Sequence, residues 1–266
     1  MAEKIRVLVT GACGNMGQHV VRAVSEAKDM ELVGAVDPAG VDKDIGEVAL
    51  GGPIGLKVLG HLPAALEHGQ PDVMVDFTHP DVVMGNLEVA LKAGVYCVVG
   101  TTGLSETDLK IVEKLCRNHD VACLIAPNFS LGANLMMRFA AEAARHYEYA
   151  EIIERHHERK ADAPSGTALK TAELMEKARG EPLRSVSTSH EKVPGSRGGE
   201  TAGLRVHSVR LPGYVANQEV IFGGQGELLI IESISTSREC FMPGVLLAVR
   251  AVRDRKGLVY GLDQLL

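Results

Sequence analysis

The feature that most constrains this chain lies between Ile5 and Asp37, where a strand, a glycine loop, a helix, a second strand and an acid follow in that order. Ile5–Thr10 reads I-R-V-L-V-T, the β-branched apolar run expected of a strand buried on both faces. Gly11-Ala12-Cys13-Gly14-Asn15-Met16-Gly17 follows it. Val20, Val21 and Val24 then recur at helical spacing, and Glu31–Val36 forms a second apolar run closed by Asp37. Glycines let such a loop turn tightly and let its backbone approach a pyrophosphate, which rests on the N–H groups opening the helix. The acid after the second strand accepts the hydroxyls of an adenine ribose. The spacing is G-x-x-G-x-x-G, with Cys13 where the dinucleotide fingerprint has its middle glycine. The order of elements around the loop therefore carries the dinucleotide reading more than the glycines do.

The alternation continues. Strands are predicted at Gly55–Leu59, Asp72–Phe77, Tyr96–Val99 and Ala122–Ala126. Helices are predicted over Leu62–His68, from Asp81 to Ala93 with Gly94 as its stop, and from a Ser105 cap to Asn118. Strands alternating with helices imply an α/β fold, a Rossmann-type doubly wound parallel sheet, which binds ligands beyond the C-terminal ends of its strands. Three loops follow such ends: Gly11–Gly17, Gly100-Thr101-Thr102-Gly103 and Ala126-Pro127-Asn128-Phe129, with Thr78 beside them. The predicted cofactor contacts are therefore Gly11, Ala12, Cys13, Gly14, Asn15, Met16, Asp37, Gly100, Thr101, Thr102, Ala126, Pro127, Asn128 and Phe129.

Beyond a helix at about Gly132–His146, whose Met136 and Met137 suit a core, the pattern changes. Ala150–Arg155 is strand-like, a helix is predicted from Ser165 to Ala178, and Ser185–Ala202 is polar, read as a long loop with some strand. Leu204–Leu211, Gln218–Phe222 and Glu227–Ser235 are predicted strands joined by short turns, giving a second α+β domain with a mixed or antiparallel sheet. The last helical pattern, with Val245, Leu246, Val249 and Val252 on one face, is apolar enough to pack back onto the first domain; periodicity does not decide whether it does. Domain bounds of 1–127 plus 237–266 and 128–236 follow if it returns.

Composition excludes several classes. The chain has 45% hydrophobic and 23% charged residues and a net charge of −6, so no strong basic excess exists to displace counterions from nucleic acid. No apolar run approaches the roughly 18 residues of a membrane span. Cys13, Cys97, Cys116, Cys123 and Cys240 form no C-x-x-C pair, and with an N-terminal M-A-E-K that resembles neither signal nor transit peptide they read as reduced thiols in a cytoplasm.

Chemistry concentrates in Glu154–Ala168, E-R-H-H-E-R-K-A-D-A-P-S-G-T-A. His156 and His157 are adjacent, so on a regular strand they point to opposite faces and meet one ligand only if the backbone turns, for which Pro164 and Gly166 provide. One reading is a cationic, proton-donating pocket for a carboxylate-bearing substrate, built from a histidine, Lys160 and the helix N-terminus at Ser165-Gly166-Thr167. A zinc site with Glu154 and Glu158 competes, although no H-E-x-x-H occurs and no cysteine is near in sequence. Two solvated histidines beside an ordinary helix cap are the third reading.

This stretch resembles the signature of the 4-hydroxy-tetrahydrodipicolinate reductase (dihydrodipicolinate reductase) family, from the diaminopimelate route to lysine. The likeness extends through V-x-G-A-x-G-x-M-G, D-F-T-x-P at Asp76–Pro80, G-T-T-G, A-P-N-F-S at Ala126–Ser130 and S-R-x-x-F near the end. It implies reduction of a cyclic imine-type dicarboxylate by NADH or NADPH with loss of water, without a metal. It also implies a homotetramer packed through the second domains and a final helix that returns to the cofactor domain. By resemblance His156 and Lys160 are catalytic, and His157, Ser165, Gly166 and Thr167 bind substrate. Pro38 follows Asp37 where some members carry an arginine for a 2′-phosphate; this favours NADH, with Lys43 a second possible contact for such a phosphate. The Glu154–Ala168 stretch is then half of a site, completed when the domains close.

Overall fold

Strand and helix alternate through the first half of the computed structural model, which describes residues 3–266. The order is β1 (Ile5–Thr10), α1 (Asn15–Glu26), β2 (Met30–Val36), α2 (Ile45–Ala49), β3 (Val58–Leu59), α3 (Leu62–Gly69), β4 (Val73–Asp76), α4 (Pro80–Lys92), β5 (Tyr96–Val99), α5 (Glu106–His119) and β6 (Ala122–Ile125). Then come α6 (Leu131–Ala143), β7 (Tyr149–His156), α7 (Gly166–Arg179), β8 (Gly199–Thr201), β9 (Leu204–Arg210), β10 (Ala216–Gly224) and β11 (Glu227–Ser235). A 3₁₀ turn at Arg238–Phe241 leads into α8 (Met242–Val252) and β12 (Gly257–Tyr260). The described residues divide into two units: those through Phe129 with Phe241–Leu266, and Ser130–Cys240.

The first unit is built on a seven-stranded sheet ordered β12-β6-β5-β4-β1-β2-β3, parallel throughout. This is the doubly wound order, extended at one edge by β12. All four residues of β4 and of β6 are buried, as continuous apolar strands covered on both faces must be. Helix α1 presents Val20, Val21 and Val24 to the core. Helix α8, with Val245, Val249 and Val252 buried, packs on α1, β5 and β6. A Ser105–Asp108 capping box starts α5, which satisfies two otherwise unpaired N–H groups. Two elements went unrecognised in the sequence. Helix α2 has only five residues, too few for periodicity to register, and starts where Asp44 Oδ1 accepts from Gly46 N. Residues 257–260 form the seventh strand, placed by register beside Ala122–Ile125.

The second unit has a five-stranded mixed sheet, β11-β10-β7-β9-β8, in which β7 and β9 run parallel and the other pairs antiparallel. Helices α6 and α7 cover one face, where Ala140, Ile152, Ala168, Met175, Val220 and Phe222 form the core. Along β7 the inward residues are Ala150, Ile152 and Glu154, in the two-residue period of a strand covered on one face. On the edge strand β11, Leu229 and Ile231 pack against this core. Leu228, Ile230 and Ile234, of the opposite parity, remain 70%, 53% and 61% exposed.

Candidate active site

Strand β7 ends at His156, two residues beyond Glu154, so both side chains lie on the helix-covered face. Glu154 is fully buried. Its Oε2 lies 2.5 Å from His156 Nδ1. Arg210 is the register partner of His156 on β9. It reaches back to grip both carboxylate oxygens, Nη1 to Oε2 at 2.9 Å and Nη2 to Oε1 at 2.8 Å. Ser165 N donates to Oε1 at 3.2 Å, tying the start of α7 to the same carboxylate. Burial alone would raise the Glu154 carboxyl, but hydrogen bonds from Arg210, Ser208 and His156 outweigh it and hold the group below the ordinary glutamate range. For His156 burial dominates and lowers the imidazole from its usual value; Glu154 opposes this, while the charges of Lys160 and Arg210 reinforce it.

After β7 the chain turns through a cis Ala163–Pro164 bond into α7. His157 Nδ1 accepts from Arg159 N at 3.2 Å, and His157 O accepts from Lys160 N at 3.2 Å, which folds the turn back on itself. Lys160 Nζ pairs with Asp162 Oδ1 at 2.7 Å. Asp162 O in turn accepts from Arg210 Nη2. Ser165 caps α7, its Oγ accepting from Ala168 N at 3.2 Å, and Gly166 and Thr167 form the helix's first residues. The turn therefore gathers His156, Lys160 and Ser165 around Glu154 and Arg210, whereas His157 is engaged locally at the turn. Among the described residues no group of three or more His, Cys, Asp or Glu side chains has the disposition of a metal site.

In the first unit the glycine loop has the shape a dinucleotide needs. Gly11 has φ +71°, and a Cβ there would lie 2.4 Å from Phe77 O; one on Gly17 would lie 1.9 Å from Gly11 O. Only glycine fits either position. Gly14 caps α1 without a side-chain bond, and its first turn carries no acid. The opening N–H groups, from Asn15 and Met16 onward, thus face outward without a competing carboxylate, in keeping with an anion at this helix end. Ala12 is buried beneath the loop. Asp37, 8% exposed, accepts from Cys13 N and Ala39 N, each at 2.9 Å. Burial and the Asp37 charge push the Cys13 thiol up, and the Lys43 charge opposes them.

The end of β1 and the segments after β4 and β5 are joined by Asp76, also fully buried. Its carboxylate accepts from Thr10 Oγ1 (2.8 Å), Thr78 N (3.1 Å), Thr78 Oγ1 (2.7 Å), Asn86 Nδ2 (2.8 Å) and Thr101 Oγ1 (2.7 Å). Gly100 N donates to Asp76 O, and the Phe129 ring packs on Phe77 with centroids 5.8 Å apart. Ala126 is tied by its N–H to Val99 O. Thr102 and Pro127 are exposed on these loops, with Asn128 between Pro127 and the buried Phe129.

Family comparisons cover both units of the chain. The model described as Dihydrodipicolinate reductase, N-terminus, matches residues 5–129, and that described as Dihydrodipicolinate reductase, C-terminus, matches residues 132–266. The chain is 52% identical over 266 residues to the 4-hydroxy-tetrahydrodipicolinate reductase of Moorella thermoacetica, covering 100% of this chain and 99% of that one. It is 49% identical over 265 residues to the enzyme of the same name from Desulfitobacterium hafniense, covering 99% of each. The chain belongs to the dihydrodipicolinate reductase family. As a member it is an NAD(P)H-dependent oxidoreductase. A solved structure, the dipicolinate-bound dihydrodipicolinate reductase from Paenisporosarcina sp. TG-14, superposes with TM-score 0.87 at 38% identity over 99% of this chain and 100% of that one.

Two groups central to this geometry, Arg210 and Asp76, escaped the sequence reading. Arg210 reads as one charge on an alternating strand, and only the β7–β9 register places it beside His156. Asp76 reads as the end of an apolar strand. The cue for it was available: a carboxylate inside a doubly covered strand must find donors, and a threonine ends β1 while others follow β4 and β5.

Proposed function

We propose that this chain carries out the reaction its family is named for: reduction of 4-hydroxy-tetrahydrodipicolinate to tetrahydrodipicolinate, with loss of water, in the diaminopimelate route to lysine. The observation that carries it is the His156–Glu154–Arg210 group at the end of β7, with Lys160 and the α7 N-terminus beside it, in a chain matched end to end by reductases of this name. The Paenisporosarcina reductase holds dipicolinate, a planar dicarboxylate of the class such a pocket suits.

The substrate loses its 4-hydroxyl and a hydrogen of the neighbouring ring carbon as water, which leaves the C=N conjugated with a C=C; NAD(P)H, when bound, would supply the hydride that adds to this system. The carbanionic carbon this leaves takes a proton from His156, a group whose ordinary value lies near neutrality. Lys160 supplies a second proton or its positive charge, favouring the negative charge that develops. To do so it must leave Asp162, which a substrate carboxylate can replace with the same chemistry. His157, Ser165, Gly166 and Thr167 hold that carboxylate, with the α7 N-terminus favouring its charge.

Gly11–Met16, Asp37, Gly100–Thr102 and Ala126–Phe129 hold the nucleotide. A nearly buried Asp37 followed by Pro38 accepts ribose hydroxyls and repels a 2′-phosphate, so NADH serves at least as well as NADPH. The exposed Leu228, Ile230 and Ile234 support a homotetramer joined through the second sheet, since covering each such side chain contributes roughly 1.5–3 kcal/mol. Sedimentation velocity then finds a particle of four chains. The five unpaired cysteines fit a reducing cytoplasm, and no described helix is long and apolar enough to cross a membrane.

The test couples dihydrodipicolinate synthase product to this protein and follows loss of reduced nicotinamide absorbance. Substrate-dependent oxidation is expected with NADH, with a KM no higher than that for NADPH. No oxidation with either nucleotide sinks the reading, and a KM for NADPH well below that for NADH overturns the preference alone.

A further inference from the structure

We propose that Glu154 is the positioning residue for His156: it holds the ring with the proton on Nδ1 and presents Nε2 to the substrate, while Arg210 locks the carboxylate that does so. The proposal rests on the reading of His156 as proton donor and adds what makes it one.

A histidine at a strand end is free to rotate about its side-chain bonds, and either ring nitrogen can carry the proton. Here the choice is removed. Glu154 lies on the same face two residues earlier, fully buried, and its Oε2 is 2.5 Å from Nδ1. Both carboxylate oxygens are already bound by Arg210, and Oε1 also receives the backbone N–H of Ser165. The carboxylate therefore cannot turn away without breaking contacts to β9 and to the cap of α7. Facing a guanidinium it stays ionised and only accepts, so the proton of the Glu154–His156 contact belongs to Nδ1. Nε2 is left as the atom that takes and gives the catalytic proton, and the anion stabilises the imidazolium that must form before transfer.

The charged groups facing the ring come from three places. Glu154 is on its own strand, Lys160 is in the following turn and Arg210 is on β9; the β10 register partner, Ala216, brings no charge. Glu154 is the one anion among these, and the two cations oppose protonation. A plain structural pair fastening β7 to β9 would need Arg210 and Glu154 but would leave the ring indifferent to the glutamate.

Two measurements separate these cases. In wild-type protein, 15N NMR of labelled histidine is expected to find His156 neutral with the proton on Nδ1; the Nε2–H tautomer overturns the proposal whatever any variant does. In Glu154→Gln the amide oxygen can take the place of Oε2, facing His156 Nδ1 and Arg210 Nη1, but the negative charge is gone and the NH₂ then faces two donors, Arg210 Nη2 and Ser165 N. The expected result is a loss of about 100-fold in kcat, a shift of about one unit toward acid in the limb of the kcat–pH profile set by His156, and an unchanged Kd for NADH. Glu154→Asp, which keeps the charge, is expected to restore part of kcat and to return the limb toward its wild-type position. A Glu154→Gln profile with an unmoved limb, or a kcat loss equal to the loss of folded protein, assigns the glutamate a structural role only and overturns the proposal. If wild-type protein does not oxidise NADH with this substrate, the functional reading fails while the tautomer measurement still decides the geometry.

Discussion

Asp76 and Glu154 are both completely excluded from solvent, one near the end of a strand in each unit, yet they are satisfied in opposite ways. Asp76 is surrounded by neutral donors, three threonines and an asparagine, drawn from β1, the loops after β4 and β5, and α4. Glu154 is held by a guanidinium and an imidazole. Neutral donors bind a carboxylate firmly without bringing a second titrating group, which suits a tie that keeps β1 and the segments after β4 and β5 in register. A carboxylate between two basic groups is also a tie, but it alters the proton affinity of whatever it touches. On the proposed roles, one buried acid shapes a surface for a ligand and the other shapes a reacting group.

The contrast can be broken by substitution. The largest effect belongs to the charged side: His156→Gln with Lys160→Ala should reduce kcat by at least about 10⁴-fold, while the Kd for NADH, measured by fluorescence titration, stays within about twofold because the proposed nucleotide contacts all lie in the first unit. Turnover near the wild-type rate in that double variant removes both proposed roles. On the neutral side, Asp76→Asn turns one acceptor oxygen into a donor facing Asn86 and Thr10. A buried donor left without a partner costs about 1–3 kcal/mol, read as a lower urea midpoint for the first unit. The loosened loops should raise the Kd for NADH about tenfold, with kcat at saturating NADH close to wild type. An unchanged Kd would mean that Asp76 braces the sheet and not the nucleotide loops.

The smallest effect is on the pH dependence of stability. The Glu154 carboxyl is held below its ordinary range in the fold. Its contribution is complete above the unfolded glutamate value of about 4.3 and is lost as pH falls through the lower folded value. Glu154→Gln should therefore be less stable near neutrality, yet lose less further stability than wild type on acidification through that window. Parallel stability–pH curves for the two proteins would show that the folded and unfolded carboxyls titrate alike.

Much of this architecture is legible along the chain because its causes are local. The β1–glycine loop–α1–β2–Asp37 unit, the Ser105 capping box and the two-residue alternation of β7 each depend on side chains a few positions apart. The same holds for the composition of the Glu154–Ala168 stretch, where a histidine pair, a lysine and a helix cap are adjacent in sequence. The five-residue α2 falls below the length at which a period can be read. The place of residues 257–260 at the sheet edge depends on pairing with Ala122–Ile125, more than a hundred residues away.

By itself the sequence determined the order of elements, the glycine positions that admit a pyrophosphate and the residue types able to move a proton. Tertiary structure alone decided that Arg210 stands beside His156, that Glu154 meets the His156 ring, and that Thr10, Thr78, Asn86 and Thr101 converge on Asp76. The physical reason is that strand register and helix placement are set by burying whole apolar faces, a sum over many distant residues. Polar partners separated by 56 or 66 positions in the chain are brought within hydrogen-bond reach only as a consequence of that sum.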